Sequence, residues 1–188
     1  MLLMRPFERI FWIGIILFLM LCAVGFSKQG EAKVPSKAMM PNLKDARFVG
    51  TWQLVTSEFR TADGEVTYPL GEKAAGVLIY DGGGRMAAQL MRPGRPKFAS
   101  GDMQGGSLEE IKTAAEGYVA YFGTYQVNDK NGKVVHHVEA SLFPNWVGQD
   151  QVRLFEFSAD ADMLTLKTLP ILSGGHEIIG VLVWKKLE

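Results

Sequence analysis

Residues 123–142 read GTYQVNDKNGKVVHHVEASL, two runs rich in β-branched and aromatic residues around the polar segment 129–132. Such runs, joined by a short segment that ends in Gly, are typical of a β-hairpin, because Gly tolerates the positive φ of a tight turn. The same pattern recurs around residues 81–84 (DGGG), and a third pair of runs flanks the short polar segment 159–162 (ADAD), which contains no Gly. The sequence therefore predicts an antiparallel β protein.

The whole chain contains eight strand-like runs, counting the two of this hairpin. They cover residues 49–60, 76–80, 85–92, 123–128, 133–142, 151–158, 163–168 and 178–186. Because tight turns join most of these runs, neighbours in sequence should be neighbours in space. An eight-stranded meander removes its exposed edges when it closes on itself. The predicted fold is all-β, an eight-stranded antiparallel up-and-down barrel.

One segment between the third and fourth strands favours a helix. Ser107 and Glu110 have the spacing of a capping box, which satisfies free N–H groups at a helix start. An apolar stripe at helical spacing follows, at Ile111, Ala114, Ala115, Tyr118 and Phe122. This pattern predicts one amphipathic helix over residues 107–122, with its stripe packed over a barrel mouth.

The N-terminal residues 1–27 differ in character from the rest of the chain. Arg5 and Arg9 precede the uncharged run 10–25, IFWIGIILFLMLCAVG. A basic start before an apolar stretch is typical of a signal peptide, and an uncleaved stretch of this kind serves as a membrane anchor. The sequence predicts a hydrophobic leader helix of one kind or the other. A leader of either kind predicts export across the inner membrane, to the periplasm or outside the cell. If the leader is retained, the membrane is a predicted partner.

The remainder divides into a linker and one domain. Residues 28–46 are polar and interrupted by Pro35 and Pro41, which predicts a flexible linker, and residues 47–188 form the predicted barrel domain. The single Cys, Cys22, lies in the leader, so the domain has no disulfide and no thiol ligand. Twenty basic and twenty acidic residues in the chain argue against a nucleic-acid partner.

Gly50-Thr51-Trp52 opens the first strand in the Gly-x-Trp form of lipocalins. Further matching stretches are YPLG at 68–71, QLMR at 89–92, YVAYFGTY at 118–125, HHVEASLFPNWVG at 136–148 and QVR at 151–153. The chain thereby resembles the bacterial and fungal lipocalin-like domain family, which has a calycin-type barrel. The resemblance implies that Trp52 plugs the closed end. Unlike classical lipocalins, the chain has its helix between strands three and four and lacks disulfide cysteines.

The strand over residues 133–142 carries the clearest polar pattern. His137, Glu139 and Ser141 alternate along one face, while His136 belongs to the opposite, largely apolar face. Two interpretations remain open: the polar face lies in water, or it forms a polar patch inside the barrel. The adjacent histidines point in opposite directions and cannot share a metal, so we predict no metal site.

Arg153 and the loop 143–148 are the other candidate features. Arg153 shares a face with Phe155; it either covers aromatic rings at the surface or points inward to pair with Glu139 or a ligand carboxylate. Within the loop, Trp146 and Asn145 form either a plug on the rim or a lid over a pocket.

A closed eight-stranded barrel is just wide enough to hold one small ligand, and methionines and aromatic residues suit an adaptable apolar pocket. We therefore predict binding of a small lipophilic molecule, with a carboxylate head if Arg153 points inward. The predicted lining comprises Tyr80, Met91, Tyr121, Tyr125, His137, Glu139, Ser141, Asn145, Trp146, Arg153 and Phe155.

Two other functions remain open from the sequence. An isomerase or cyclase could use His137 as acid or base, oriented by Glu139, with Arg153 or Tyr125 stabilising negative charge. A barrel filled by its own side chains would be a structural or interaction domain. Because no catalytic or cofactor motif is present, we assign no catalytic residue and no cofactor, and favour binding over catalysis.

Overall fold

The computed structural model describes residues 45–187. The elements in chain order are β1 (Gly50–Arg60), β2 (Val66–Thr67), β3 (Ala75–Tyr80), β4 (Arg85–Met91), α1 (Leu108–Glu116), β5 (Tyr118–Asn128), β6 (Lys133–Ser141), β7 (Asp150–Phe157), β8 (Met163–Thr168), β9 (Ile171–Ser173) and β10 (His176–Lys186). Each strand pairs antiparallel with its neighbours, and β1 also pairs with β10. The sheet therefore closes into a barrel of eight long strands, as predicted, with β2 and β9 as short additions.

The up-and-down topology gives the barrel two different ends. Three tight turns, at residues 81–84, 129–132 and 158–162, lie at the end that we call the closed end. The longer connections lie at the other end, the mouth, because alternate connections of a meander share one end. They comprise residues 61–74, 92–117, 142–149 and 169–175, which include β2, α1 and β9.

A cluster of aromatic rings fills the closed end. Trp52 is fully buried, and its indole N–H donates to the carbonyl oxygen of Phe48 at 2.8 Å. The Phe48 ring meets Tyr80, Phe155 and Phe157 in edge-on contacts, with centroids 5.3, 4.9 and 5.0 Å away. Edge-on aromatic pairs add stability beyond the area they bury. The predicted burial of Trp52 at one end of the barrel is confirmed.

Helix α1 is shorter than the sequence predicts. The capping box of Ser107 and Glu110 is present, but the helix ends at Glu116, and both Tyr118 and Phe122 belong to β5. Pairing of β5 along the whole of β4 explains the difference, since those backbone hydrogen bonds outweigh a helical pattern in a short apolar run. No residue of α1 is buried, so the predicted packing of its stripe is also wrong.

A β-bulge interrupts the pairing of β5 with β6. Phe122 pairs with Ala140, and Gly123 pairs with Val138, so Glu139 is the extra residue. The strands approach so closely here that a Cβ on Gly123 would lie 1.9 Å from the carbonyl oxygen of His137. A bulge changes which face the following side chains occupy. The bulge therefore decides which part of β6 faces the interior.

Replacing Gly123 by Ala should destabilise the barrel strongly, because the new Cβ overlaps backbone rather than a movable side chain. We expect a loss of at least about 2 kcal/mol in the free energy of unfolding, the range for enforced backbone strain. Urea titration measures this loss. Gly82→Ala is the matched control, since a Cβ there meets no atom within 4 Å. Equal stability of the two variants would contradict the close approach at Gly123.

The predicted leader and nearly all of the linker fall in residues 1–44, outside the described residues. No helix within residues 45–187 combines the length and apolar character that crossing a bilayer requires.

Candidate functional site

A polar cluster lies in the middle of the barrel, centred on His136 of β6. The histidine is 1% exposed; its Nε2 lies 2.7 Å from the Tyr80 hydroxyl and its Nδ1 3.1 Å from the Tyr121 hydroxyl. Both imidazole nitrogens therefore have a partner, as a buried polar side chain requires. Tyr121 from the neighbouring strand β5 and Tyr80 from β3 thus hold one histidine in a fixed orientation.

The surroundings keep all three groups uncharged near neutral pH. Burial lowers the pKa of His136 well below its usual range, and the nearby Arg153 charge acts in the same direction. Burial also raises the pKa of Tyr80 and of Tyr121, although the charge of Arg153 opposes the rise at Tyr121. A neutral imidazole donates from one ring nitrogen and accepts at the other, so the two tyrosine hydroxyls satisfy His136 in either tautomer.

The depressed pKa of His136 predicts a loss of stability in mild acid. Below about pH 6.5, His136 binds a proton in the unfolded state but stays neutral in the folded state. Protonation therefore favours unfolding. This group alone should make the protein about 1.4 kcal/mol less stable at about pH 5.5 than at about pH 7.5. Urea titrations at both pH values should show His136→Gln losing that difference and His137→Gln keeping it. An unchanged pH dependence in His136→Gln would contradict the prediction.

Arg153 of β7 points into the barrel beside this cluster. It lies opposite Val134 and Thr168, which are both buried, and is itself 7% exposed. Its guanidinium donates to the Val152 carbonyl at 3.0 Å. Among the ion pairs of residues 45–187 none includes Arg153. The inward alternative for Arg153 is the one observed, without the carboxylate partner that the sequence suggested.

The small remaining exposure of this cluster belongs to Tyr121 and Arg153. Tyr121 and Arg153 are 8% and 7% exposed, whereas His136 and Tyr80 behind them are 1% exposed. The half-buried Trp146 packs its ring edge-on against Tyr121, with centroids 5.5 Å apart. Trp146 thereby connects the mouth loop 142–149 to Tyr121 and, through the Tyr121 hydroxyl, to His136.

The predicted inward position of His137 and Glu139 is wrong. His137 lies on the outer face and pairs through Nδ1 with the Asp150 carboxylate at 2.6 Å. Glu139 is exposed and forms a two-pronged ion pair with Arg85 at 2.8 and 2.9 Å, not with Arg153. The alternation along β6 explains why His137 and Glu139 point outward, because Val134, His136 and Val138 together face the core.

Ser141, Met91 and Asn145 do not line the buried cluster. The bulge brings Ser141 opposite Tyr121 on the inner face, but its hydroxyl accepts from the Phe143 N–H at 3.1 Å, within the loop. Met91 follows the buried Leu90 and therefore lies on the outer face of β4. Asn145 is exposed in a short 3₁₀ turn, Pro144–Trp146.

Tyr125 and Phe155 face inward but belong to the closed end. The Tyr125 hydroxyl donates to the Asp81 carbonyl at 3.0 Å, and its ring lies 4.6 Å from that of Tyr80. Phe155 packs on Phe48. These side chains form the floor of the interior rather than its accessible part.

Sequence reasoning missed His136 and Thr168 as interior polar residues. Thr168 is buried opposite Arg153, and its hydroxyl accepts from the Gly180 N–H at 2.9 Å. The alternation with Val134 and Val138 was the signal for His136, since a residue between two core valines at period two shares their face. Thr168 ends a similar alternation after Leu164 and Leu166.

Two surface clefts lie away from this cluster. One of about 470 Å³ lies between α1 and the loop at residues 95–103, and one of about 250 Å³ lies on the outer wall around Ile79, Arg85 and Phe122. Within the described residues no three His, Cys, Asp or Glu side chains come together as metal ligands. Neither cleft includes a residue of the buried group of Tyr80, Tyr121, His136 and Arg153, which is the candidate site because of its buried polar contacts.

Comparison with known proteins agrees with this architecture. The model of the lipocalin-like domain family matches residues 49–187. One curated relative is a 4'-hydroxy-3'-methoxypropiophenone carrier protein, ppsC, of Aspergillus oryzae, 37% identical over 109 residues, which are 54% of this chain and 96% of the relative. Because the family match covers the whole barrel from β1 to β10, the chain belongs to the lipocalin-like domain family.

Proposed function

We propose that the barrel binds a small lipophilic molecule whose polar head contacts Arg153 and Tyr121. The observation that carries this proposal is a buried guanidinium with no carboxylate partner among the described residues. A buried charge is costly unless it is paired, so such a cation favours an incoming anion. Arg also binds a carboxylate through two parallel hydrogen bonds.

Apolar side chains of the barrel interior suit an aromatic or aliphatic body. Ala88 and Leu90 of β4 and Leu166 of β8 are buried on the inner face, and Trp146 adds an aromatic surface at the mouth. The Aspergillus relative is named for a phenolic aryl ketone, which combines an aromatic ring with polar oxygens. We infer that the ligand of this chain is of similar size, with a carboxylate or an acidic hydroxyl directed at Arg153.

Quenching of tryptophan fluorescence tests the proposal. Trp146 lies beside Tyr121, so a ligand in the mouth should quench its emission in a saturable manner. The ligands to test are 4'-hydroxy-3'-methoxypropiophenone, named in the relative, together with ferulic acid and a fatty acid. Trp146→Phe should lose most of the quenching while calorimetry still detects binding. The absence of saturable quenching and of binding heat with every ligand would contradict the proposal.

A second candidate function is proton transfer on a bound ketone. The observation that favours it is the neutral His136 between two phenols, next to a cation that would stabilise an enolate. Here His136 acting through Tyr121, rather than the outward His137, would exchange the proton on the carbon beside the carbonyl. NMR in heavy water measures this exchange. Exchange no faster with the protein than without it would eliminate this candidate.

We also propose that the domain works outside the inner membrane. Support comes from the sequence of residues 1–27, with two arginines before an uncharged run. Cell fractionation with a C-terminal tag tests it, and recovery of the tag in the cytosol would contradict it.

A further inference from the structure

Exposed apolar side chains are distributed unequally between the two ends of the barrel. The three turns at the closed end, DGGG, DKNG and SADAD, carry no large exposed apolar residue, although within residues 45–187 Ile79 and Leu154 are exposed on strands beside these turns and Leu187 is exposed beyond β10. Every connection at the mouth carries at least one. They are Val66, Tyr68, Met103, Leu108, Ile111, Leu142, Phe143, Val147, Leu169 and Leu172.

Two of the mouth connections contain no charged residue at all. Residues 142–149 (LFPNWVGQ) join β6 to β7, and residues 169–175 (LPILSGG) join β8 to β10. Since these strands follow one another around the barrel, both connections flank the mouth; one starts directly after Thr168, and the other ends where β7 begins, three residues before Arg153. We call their exposed side chains the apolar rim: Leu142, Phe143, Val147, Leu169 and Leu172.

We propose that the apolar rim inserts into the surface of a lipid bilayer, so that the mouth of the barrel faces the membrane. Clustered exposed apolar residues mark a contact surface. A protein partner would need some 20–30 contacting residues on each side, more than two loop tips provide. A bilayer interface instead accepts separate protruding side chains to a depth of about 5–10 Å.

The charges at the mouth indicate which lipids the rim would prefer. The rim connections are uncharged, and the other two mouth connections together carry five basic and seven acidic residues. Attraction to anionic lipids requires an excess of basic residues. Binding should therefore be apolar in origin, as strong on phosphatidylcholine as on mixtures with phosphatidylserine, and insensitive to salt.

Membrane contact would complement the proposed function, although it does not depend on it. A lipophilic ligand concentrates in the bilayer, and a mouth held against the bilayer would let the ligand pass to Arg153 without crossing water. The opposite orientation would present the polar turns of the closed end, where Asp81, Asp129 and Asp160 meet the surface. The amphipathic arrangement of the whole barrel therefore favours only one orientation.

A fluorophore at single sites of the full chain tests the docking. Cys22 is the only cysteine, so Cys22→Ser followed by Leu172→Cys gives one labelling site in the rim. Asn131→Cys, exposed in a closed-end turn, is the matched control. With phosphatidylcholine vesicles, an environment-sensitive nitrobenzoxadiazole label should brighten and shift to the blue at position 172 and not at position 131. Phe143→Asp should remove most of the shift.

Several results would overturn the docking proposal. The first two are the absence of a shift at position 172 and an equal shift at both positions. The third is a shift that grows with protein concentration without vesicles, because it would assign the rim to contact between two copies. Quenching by ferulic acid in vesicle-free buffer reports separately on ligand binding. A rim that fails to dock while quenching persists would contradict only the docking, and the reverse result would contradict only the proposed ligand site.

Discussion

Replacing Arg153 with Met should weaken the binding of an aromatic acid by at least about thirtyfold, or ~2 kcal/mol, the lower range for a buried charge pair that loses one partner. Ferulic acid and methyl ferulate form the test pair, since the ester keeps the ring and loses the negative charge. Met fills a similar apolar volume without a charge, so the ester should bind the two proteins within about threefold. Isothermal titration calorimetry measures all four affinities.

The matched control for this comparison is Arg85→Met. Arg85 has the same side chain but lies on the outer face in its pair with Glu139. Both ligands should bind this variant as they bind the unmodified protein. If acid and ester bind equally well to both the unmodified protein and the Arg153 variant, the guanidinium takes no part in ligand binding.

Replacing Trp52 with Ala should cost about 3–5 kcal/mol in the free energy of unfolding, the range for truncating a fully buried Trp. The substitution removes the ring from the core of the closed end and leaves the Phe48 carbonyl without its donor. Trp146→Ala is the control. The Trp146 ring is half-buried at the mouth, so its removal should lower the free energy of unfolding clearly less.

Urea or thermal unfolding measures both variants. If the Ala variant of Trp52 does not accumulate as a folded protein, Trp52→Phe keeps an aromatic ring and still loses the hydrogen bond to Phe48, for an expected cost of about 1–2 kcal/mol. A cost below about 1 kcal/mol for Trp52→Ala, the range of surface sites, would contradict the plugged closed end.

Local turn chemistry explains why the barrel could be predicted. The DGGG and DKNG segments each select a tight antiparallel connection, and a chain of such hairpins has few ways to protect its edges. The C-terminal end of α1 was harder to predict, since Tyr118 and Phe122 fit both a helical stripe and a strand. Pairing between β4 and β5, which involves residues distant in sequence, decides that boundary.

The inner face of β6 required information that the sequence carries only weakly. Period two relates His136 to Val134 and Val138, which favours the observed side, but the polar row of His137 and Glu139 was equally regular. The bulge beside Gly123 then changes the alternation before Ser141. A bulge depends on how two strands meet, so the inward position of Ser141 could not be derived from β6 alone.

Fluorine NMR of the protein labelled with fluorotyrosine tests the central claim, that a small molecule binds inside the mouth of the barrel. The five tyrosines give separate probes of the inner and outer surfaces: Tyr80, Tyr121 and Tyr125 are buried in the interior, whereas Tyr68 is exposed and Tyr118 bonds the outer Gln89. Titration with ferulic acid should shift the Tyr121 resonance most, Tyr80 less, and leave Tyr68 and Tyr118 unchanged. Saturable shifts confined to Tyr68 and Tyr118, or no shift at Tyr121 at any concentration, would contradict it.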